Sequence, residues 1–420
     1  MACGEFTERL TDAGLGVFST ATWGSDMAAG LVSNLSTNAY HIMNLLIAYQ
    51  GQEAEDHPGK FAGFEHAVQQ GTLQRHSSMF WKRNRTANQW ARFWDELIER
   101  VGAERIDWVL LHHFHDCKIM LGDALVRLRK IHPQVRIATS LGDPFCRFVH
   151  RVPHSFVQAA CMSDIVFLTG FGYLADQLTR AGVRNMLLMP LGYCDVRFGK
   201  TRPIQLTAQR EGIVFVGNRR LGRNPTHELF WNGLKRIRLV ELLDRRYGKQ
   251  FHLYGDGWGK LPSARGALPF EQQGEIYAGA EVVFGGFPGV TYEYYTSNRH
   301  FIAMSEGAVM VDFQVYGVER LLQPGAHWLL FRTEKDLMGQ IDTILDGGAA
   351  EASEMALRGQ QRVRQHFSKK VLAETMIQIW RNFDFERASN GIAGIPQLPF
   401  VLPEFAGAQY AHRFVRNWLG

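Results

Sequence analysis

Short apolar runs alternate with stretches of helical periodicity along most of this chain, and that alternation restricts its fold more than any other feature. Residues 107–113, 136–140, 165–169 and 186–189 form such runs in the first half. Residues 212–217, 250–254, 282–285 and 308–312 form them in the second. Each is too short for a helix and reads as a strand, and Val309, Met310 and Val311 in particular suit a parallel strand buried on both faces. Between them, residues 119–131, 156–162, 172–181, 235–247, 275–280 and 335–344 read as helices. Strand–helix alternation of this kind argues an α/β fold with helices covering parallel sheets. Upstream, residues 15–21 read as a strand, 31–49 as a helix and 50–90 as polar and irregular, with a further helix over 90–101. Residues 352–382 read as helical.

A chain of 420 residues exceeds what one core normally organises, so two domains are expected. Residues 195–211 are polar, contain proline and lack periodicity, which suits a linker. The expected division is a first Rossmann-like domain over 1–198, a linker over 199–211, a second Rossmann-like domain over 212–382, and a tail helix over 383–420 that packs back on the first domain. The hydrophobic fraction of 46% against 21% charged residues excludes a disordered chain. A net charge of +5 suits a phosphate-bearing ligand without naming nucleic acid. The five cysteines are scattered without a C-x-x-C pair, which points to free thiols in a reducing compartment. No apolar leader and no membrane-length apolar run is present, so a cytoplasmic location without a membrane span is expected.

Residues 297–312, SNRHFIAMSEGAVMVD, join a short helix to a buried strand through Gly307. That join sets the helix N-terminus beside the C-terminal rim of a sheet, where open α/β folds bind ligands. Ser297 or Asn298 can cap the helix, and Arg299 offers a rigid fork of donors to an anion. Two doubly wound domains facing across a cleft would bring three loops to it: Gly217–Arg223 (GNRRLGR), Gly255–Trp258 (GDGW) and the segment before Arg299.

These pieces, in this order, resemble the C-terminal domain of CgeB-type (spore maturation protein-like) glycosyltransferases of the GT-B fold, over about residues 212–370. The first half is similar only in DWVLLHH, the Gly142-Asp143-Pro144 turn, SDIVFLT and MPLGYCDVRF. The resemblance implies a glycosyltransferase that draws a sugar from a nucleotide diphosphate donor held mainly by the second domain. The donor would be a co-substrate, with no other cofactor and no metal. Gly217 and Gly255 would let backbone approach the donor, with Asn218 and Asp256 beside them. Arg219, Arg220 or Arg223 would neutralise the leaving diphosphate, as would Arg299 from the helix N-terminus, and Tyr254 or Trp258 would line the base or ribose pocket. The sequence departs from the family at Ile302, where glutamate is frequent.

On the acceptor side, Asp143 and His113, the latter with His115, are the candidate acid–base groups. Asp26 lies in a glycine-bounded loop. His112, His113, His115 and Asp116 together resemble a metal-ligand cluster. The run 75–94, RHSSMFWKRNRTANQWARFW, interleaves aromatics with Arg83 and Arg85 and would suit an anionic acceptor, nucleic acid included. A non-catalytic nucleotide-sugar or glycan binding protein on the same scaffold is the contrasting reading, and Ile302 is its support.

Overall fold

The apolar runs assemble into two six-stranded parallel sheets. The structure, a computed structural model, describes residues 42–51, 57–81, 85–114, 121–142, 152–183, 185–200, 210, 212–222, 225, 228–286 and 292–382. All of these belong to one compact unit spanning 42–420. The expected strand over 15–21, the tail over 383–420 and most of the linker lie outside the described residues.

The first half runs β1 (Asn44–Gln50), α1 (Pro58–Gln69), β2 (Arg75–Trp81), α2 (Ala87–Ala103), β3 (Trp108–His112), α3 (Leu121–Ile131), β4 (Arg136–Leu141), α4 (His154–Met162), β5 (Ile165–Leu168), α5 (Tyr173–Arg180) and β6 (Met186–Leu188). The strand order is β2-β1-β3-β4-β5-β6, with every neighbouring pair parallel. The second half runs β7 (Ile213–Val216), α6 (Glu228–Tyr247), β8 (Phe251–Tyr254), β9 (Ala264–Gly266), α7 (Gln273–Ala278), β10 (Val282–Phe284), α8 (Asn298–Ser305), β11 (Val309–Phe313), β12 (Leu329–Phe331), α9 (Glu334–Leu345), α10 (Ala349–His366) and α11 (Lys369–Asn382). Its order is β12-β11-β10-β7-β8-β9, again parallel throughout. This is the α/β, two-sheet architecture expected from the sequence.

Strand order reverses between β1 and β3 in the first sheet and between β7 and β10 in the second. Loops leaving such neighbours diverge to opposite faces and open a crevice at the carboxyl ends of the strands. The fold therefore fixes two crevices, one past Gln50 and His112, the other past Val216 and Phe284.

Two expectations fail in the first half. Residues 44–50 are the central strand β1, not the end of a helix. Leu45 to Tyr49 are all fully buried, with alternate residues feeding different cores. A strand covered on both faces loses the alternation that would distinguish it from a buried helix. Residues 58–81, expected to be irregular, form α1 and β2, because Phe64, Ala67, Leu73, Met79 and Trp81 pack inward. The helical stretch 352–382 is two helices, divided at Phe367–Ser368 where Ser368 Oγ accepts from Val371 N at 3.2 Å.

That division ties the halves together. Tyr193, past β6, donates from its N–H to Phe367 O at 3.0 Å and accepts from Lys369 N at 2.9 Å. Helix α11, placed by the sequence reading in the second domain, then lies along α1 of the first. Gly59 and Gly63 permit this: a Cβ at Gly63 would stand 2.8 Å from Ala373 Cβ. Trp380 stacks between Phe64 and Trp108, at centroid distances of 6.3 and 5.4 Å. One apolar cluster consequently runs from Leu45 and Leu110 through Ile377 to Phe301 and Met310.

Candidate functional site

The crevice of the second sheet is built by loops that hold one another. Gly217 N donates to Tyr254 O at 2.9 Å, and Arg219 N to Asp256 O at 2.8 Å. Asn218 Oδ1 accepts from Asp256 N at 3.0 Å. Gly255, at φ 129°, puts its Cα so near Gly217 that a Cβ would lie 2.4 Å from the Gly217 carbonyl oxygen. GNRR and GDGW are thus one surface. Trp258 is 2% exposed and donates its indole N–H to Gly217 O at 2.6 Å. It braces the loop from beneath, so the expectation that it faces a base or ribose gives way to Tyr254, which is half-buried.

Helix α8 enters as read. Ser297 Oγ caps it by accepting from Arg299 N at 3.4 Å, and Gly307 ends it at φ 80°. His300, buried, joins the N-terminus to β11: its Nδ1 lies 3.0 Å from Ser297 O and its Nε2 meets Asp312 Oδ2. Arg299 donates from Nη1 to Gly285 O at 2.8 Å and stands 5.6 Å from the Phe215 ring. Arg236, on α6, donates from Nε to Gly286 O at 2.5 Å. Burial brings the Arg236 guanidinium down to about 10, and Arg299 and Arg220 push it the same way against Asp312. Arg299 and Arg220 thus both add positive charge at Arg236, at the β7/β10 crevice. Sequence reasoning named Arg220 and Arg299. It missed Arg236, which sits within a helix like any solvated basic residue.

The crevice of the first sheet is a cavity of about 280 Å³. His113 lines it in the left-handed region at φ 58°, a conformation a non-glycine residue rarely adopts without cause. Its ring is held edge-on to His112 at 4.2 Å, and a Cβ at Gly142 would lie 2.5 Å from its Cε1. His112 Nδ1 is 2.6 Å from Ser140 Oγ. Burial, and after it the charge of Lys60, holds the His112 imidazole well below the usual histidine range. Lys60 lies 3.1 Å from both His112 ring nitrogens, and Lys369 contributes from the start of α11. Burial lowers Lys369 to about 8, with Cys194 and Asp195 opposing. Asn298 and Ile302 of α8 close the cavity on the side of the second sheet, which brings the two crevices together.

Asp143, Asp26, Arg83, Arg223, His115 and Asp116 lie outside the described residues. Arg85 does not line the cavity: it donates to Phe80 O at 3.0 Å and covers Trp90 and Phe93. The aromatics of the 75–94 run do not form a stacking platform, since Trp81, Trp90, Phe93 and Trp94 are 3% exposed or less. Their spacing reflects the core under α2, and the nucleic-acid reading loses its footing there. Among the described residues no three His, Cys, Asp or Glu side chains are grouped to hold a metal ion, and no helix is long and apolar enough to cross a membrane.

Two six-stranded parallel sheets whose crevices meet at one helix define a two-sheet α/β fold. Residues 235–378 match the model of a family described as glycosyl transferase-like. No curated protein matches the chain. Among solved structures, HepE of Anabaena in complex with UDP and glucose superposes with a TM-score of 0.54 at 14% identity, covering 81% of this chain and 100% of that one. HepE with UDP-glucose gives 0.52 at 15%, covering 80% and 98%. A glycosyltransferase of Rickettsia africae gives 0.53 at 11%, covering 81% and 98%. At these identities the likeness is one of fold.

Proposed function

We propose that the protein is a glycosyltransferase of the CgeB type. In this reading it transfers a sugar from a nucleoside diphosphate donor, its co-substrate, to an acceptor hydroxyl held over the first sheet. The observation that carries the reading is the part-buried Arg236 on Gly286 O, with Arg299 fixed on Gly285 O beside it and Arg220 adding positive charge at the β7/β10 crevice, an arrangement that favours a bound anion. The capped N-terminus of α8 adds its N–H groups and dipole. HepE's complexes make uridine diphosphate sugars the first donors to try.

The acceptor oxygen bonds to the anomeric carbon as that carbon's bond to the diphosphate oxygen breaks. The electron pair leaves with the diphosphate, where the guanidinium groups stabilise it. The acceptor proton passes toward His113 or, if configuration is retained, toward the leaving oxygen. The proposed route uses no metal ion.

Ile302, buried on the cavity wall, supports the contrasting reading of a binding protein, because it removes a carboxylate from that wall. Arg299→Ala separates the two. An enzyme loses about tenfold or more of its slow donor hydrolysis, the scale expected for one group stabilising a leaving charge. A panel of nucleotide sugars that are neither bound nor hydrolysed by the wild-type protein would overturn both.

A further inference from the structure

The cavity over the first sheet holds a cation that the reaction above does not use. Lys60 is 8% exposed, and an ammonium brings three donors that require acceptors. Its Nζ lies 3.1 Å from both Nδ1 and Nε2 of His112. Equal distances place it on the bisector of the two nitrogens, so it points along neither in-plane lone pair. Nδ1 is already engaged by Ser140. No oxygen is hydrogen-bonded to this ammonium among the described residues.

Two further cations, Lys369 and Arg197, line the same cavity, and no described Asp or Glu does. Lys369 Nζ reaches Leu191 O and has donors to spare. Its charge and burial together hold the Lys60 amine well below the ordinary lysine range, burial being the larger cause. A buried amine with no acid partner and incomplete hydrogen bonding is costly unless a ligand completes it. The arginines of the diphosphate crevice do not line this cavity, so the donor's phosphates are not the missing group. The remaining wall, with Leu141, Met189, Leu372 and Met376, is apolar and suits the carbon face of a sugar.

We propose that the acceptor is an acidic saccharide whose oxyanion, a carboxylate or a phosphate, seats between Lys60 and Lys369. The word acceptor rests on the glycosyltransferase reading; the oxyanion seat does not. Held there, the acceptor extends past His113 toward Asn298 and the arginine crevice, which lets its far hydroxyl meet the donor.

The test is calorimetric titration of the full chain with glucose, glucuronate and glucose 6-phosphate, with UDP titrated in parallel. At least one acid binds roughly tenfold or more tighter than glucose, the margin of a charge-assisted contact. Which acid wins distinguishes a carboxylate from a phosphate. Lys60→Gln removes the margin, Lys369→Gln reduces it, and both keep the wild-type affinity for UDP, which reports that they fold. The proposal is overturned if neither acid binds at millimolar concentration, if glucose binds as tightly as both, or if the margin survives Lys60→Gln. A Lys60-dependent preference for UDP-glucuronate over UDP-glucose, without binding of the free acids, would put the oxyanion on the donor and overturn the acceptor assignment. An acid margin with no UDP binding would leave the seat standing and remove the glycosyltransferase reading instead.

Discussion

In the proposed donor site, Arg299 is useful because it is already held. One arm of its guanidinium is fixed on Gly285 O and its face rests near Phe215, so little rotamer freedom remains to be lost when a phosphate arrives. Arg299→Lys keeps the charge but cannot hold both the carbonyl and a phosphate with the same geometry. It should retain no more than about a tenth of the donor hydrolysis rate, measured as kcat/KM; a value near wild type would show that charge alone suffices. At the other crevice, Gly142→Ala places a methyl 2.5 Å from His113 Cε1 and must turn that ring. Transfer to acceptor should fall by about tenfold or more, as for a displaced catalytic group, with the UDP affinity unchanged. Ser297, Arg299, Gly217 and Gly255 were legible in the sequence because caps and tight backbone approaches demand particular residue types. Arg236 and Lys60 were not, because a basic residue in a helix looks the same whether it faces solvent or a crevice. Trp258 was misplaced for a related reason: an indole next to a glycine loop can sit on either side of the backbone.

Among the elements, α11 decides whether the two sheets stay joined. It carries Trp380 into the slot between Phe64 and Trp108, with the ring 3% exposed. Trp380→Ala should cost about 3–5 kcal/mol, the usual loss for emptying a buried indole site, read as a lowered denaturation midpoint. Gly63→Val drives a branched side chain into Ala373 and Lys370 and should separate α1 from α11 more severely than Gly259→Val, where a Cβ meets nothing. Most second-half elements are legible, since β7, β8 and β10 are each closed by glycine (Gly217, Gly255, Gly285); the short edge strand β9 is not, and α6 begins at Glu228, ahead of the expected 235. The first half was less so. β1 reads as the end of a helix because its residues are buried on both faces and show no period of two. β2 is obscured by aromatic and basic residues that resemble a binding surface, although Met79 and Trp81 pack a core, whereas α2 is legible over 90–101.

For the molecule as a whole, burial of its basic groups sets the dependence of stability on pH. The folded state holds His366 at about 4 and Lys369 at about 8, both below the unfolded values of about 6.5 and 10.4. Between each pair of values the unfolded chain carries the extra proton, so stability rises with pH across those windows. The thermal midpoint should therefore fall as pH drops from 6.5 toward 4, and Lys369→Met should flatten the rise otherwise expected between pH 8 and 10. A midpoint that falls over that upper window in the wild type alone would contradict the buried state of Lys369. Above these effects stands the claim that two crevices, fixed by strand order, meet at α8 and divide donor from acceptor. Its donor half is tested most directly by calorimetric comparison of UDP, UMP and uridine. If Arg220, Arg236 and Arg299 form a diphosphate site, UDP binds at least about tenfold tighter than UMP, uridine binds weakest, and Arg236→Ala erases most of the margin between UDP and UMP. Equal affinities for UDP and uridine, or a margin untouched by Arg236→Ala, would contradict it.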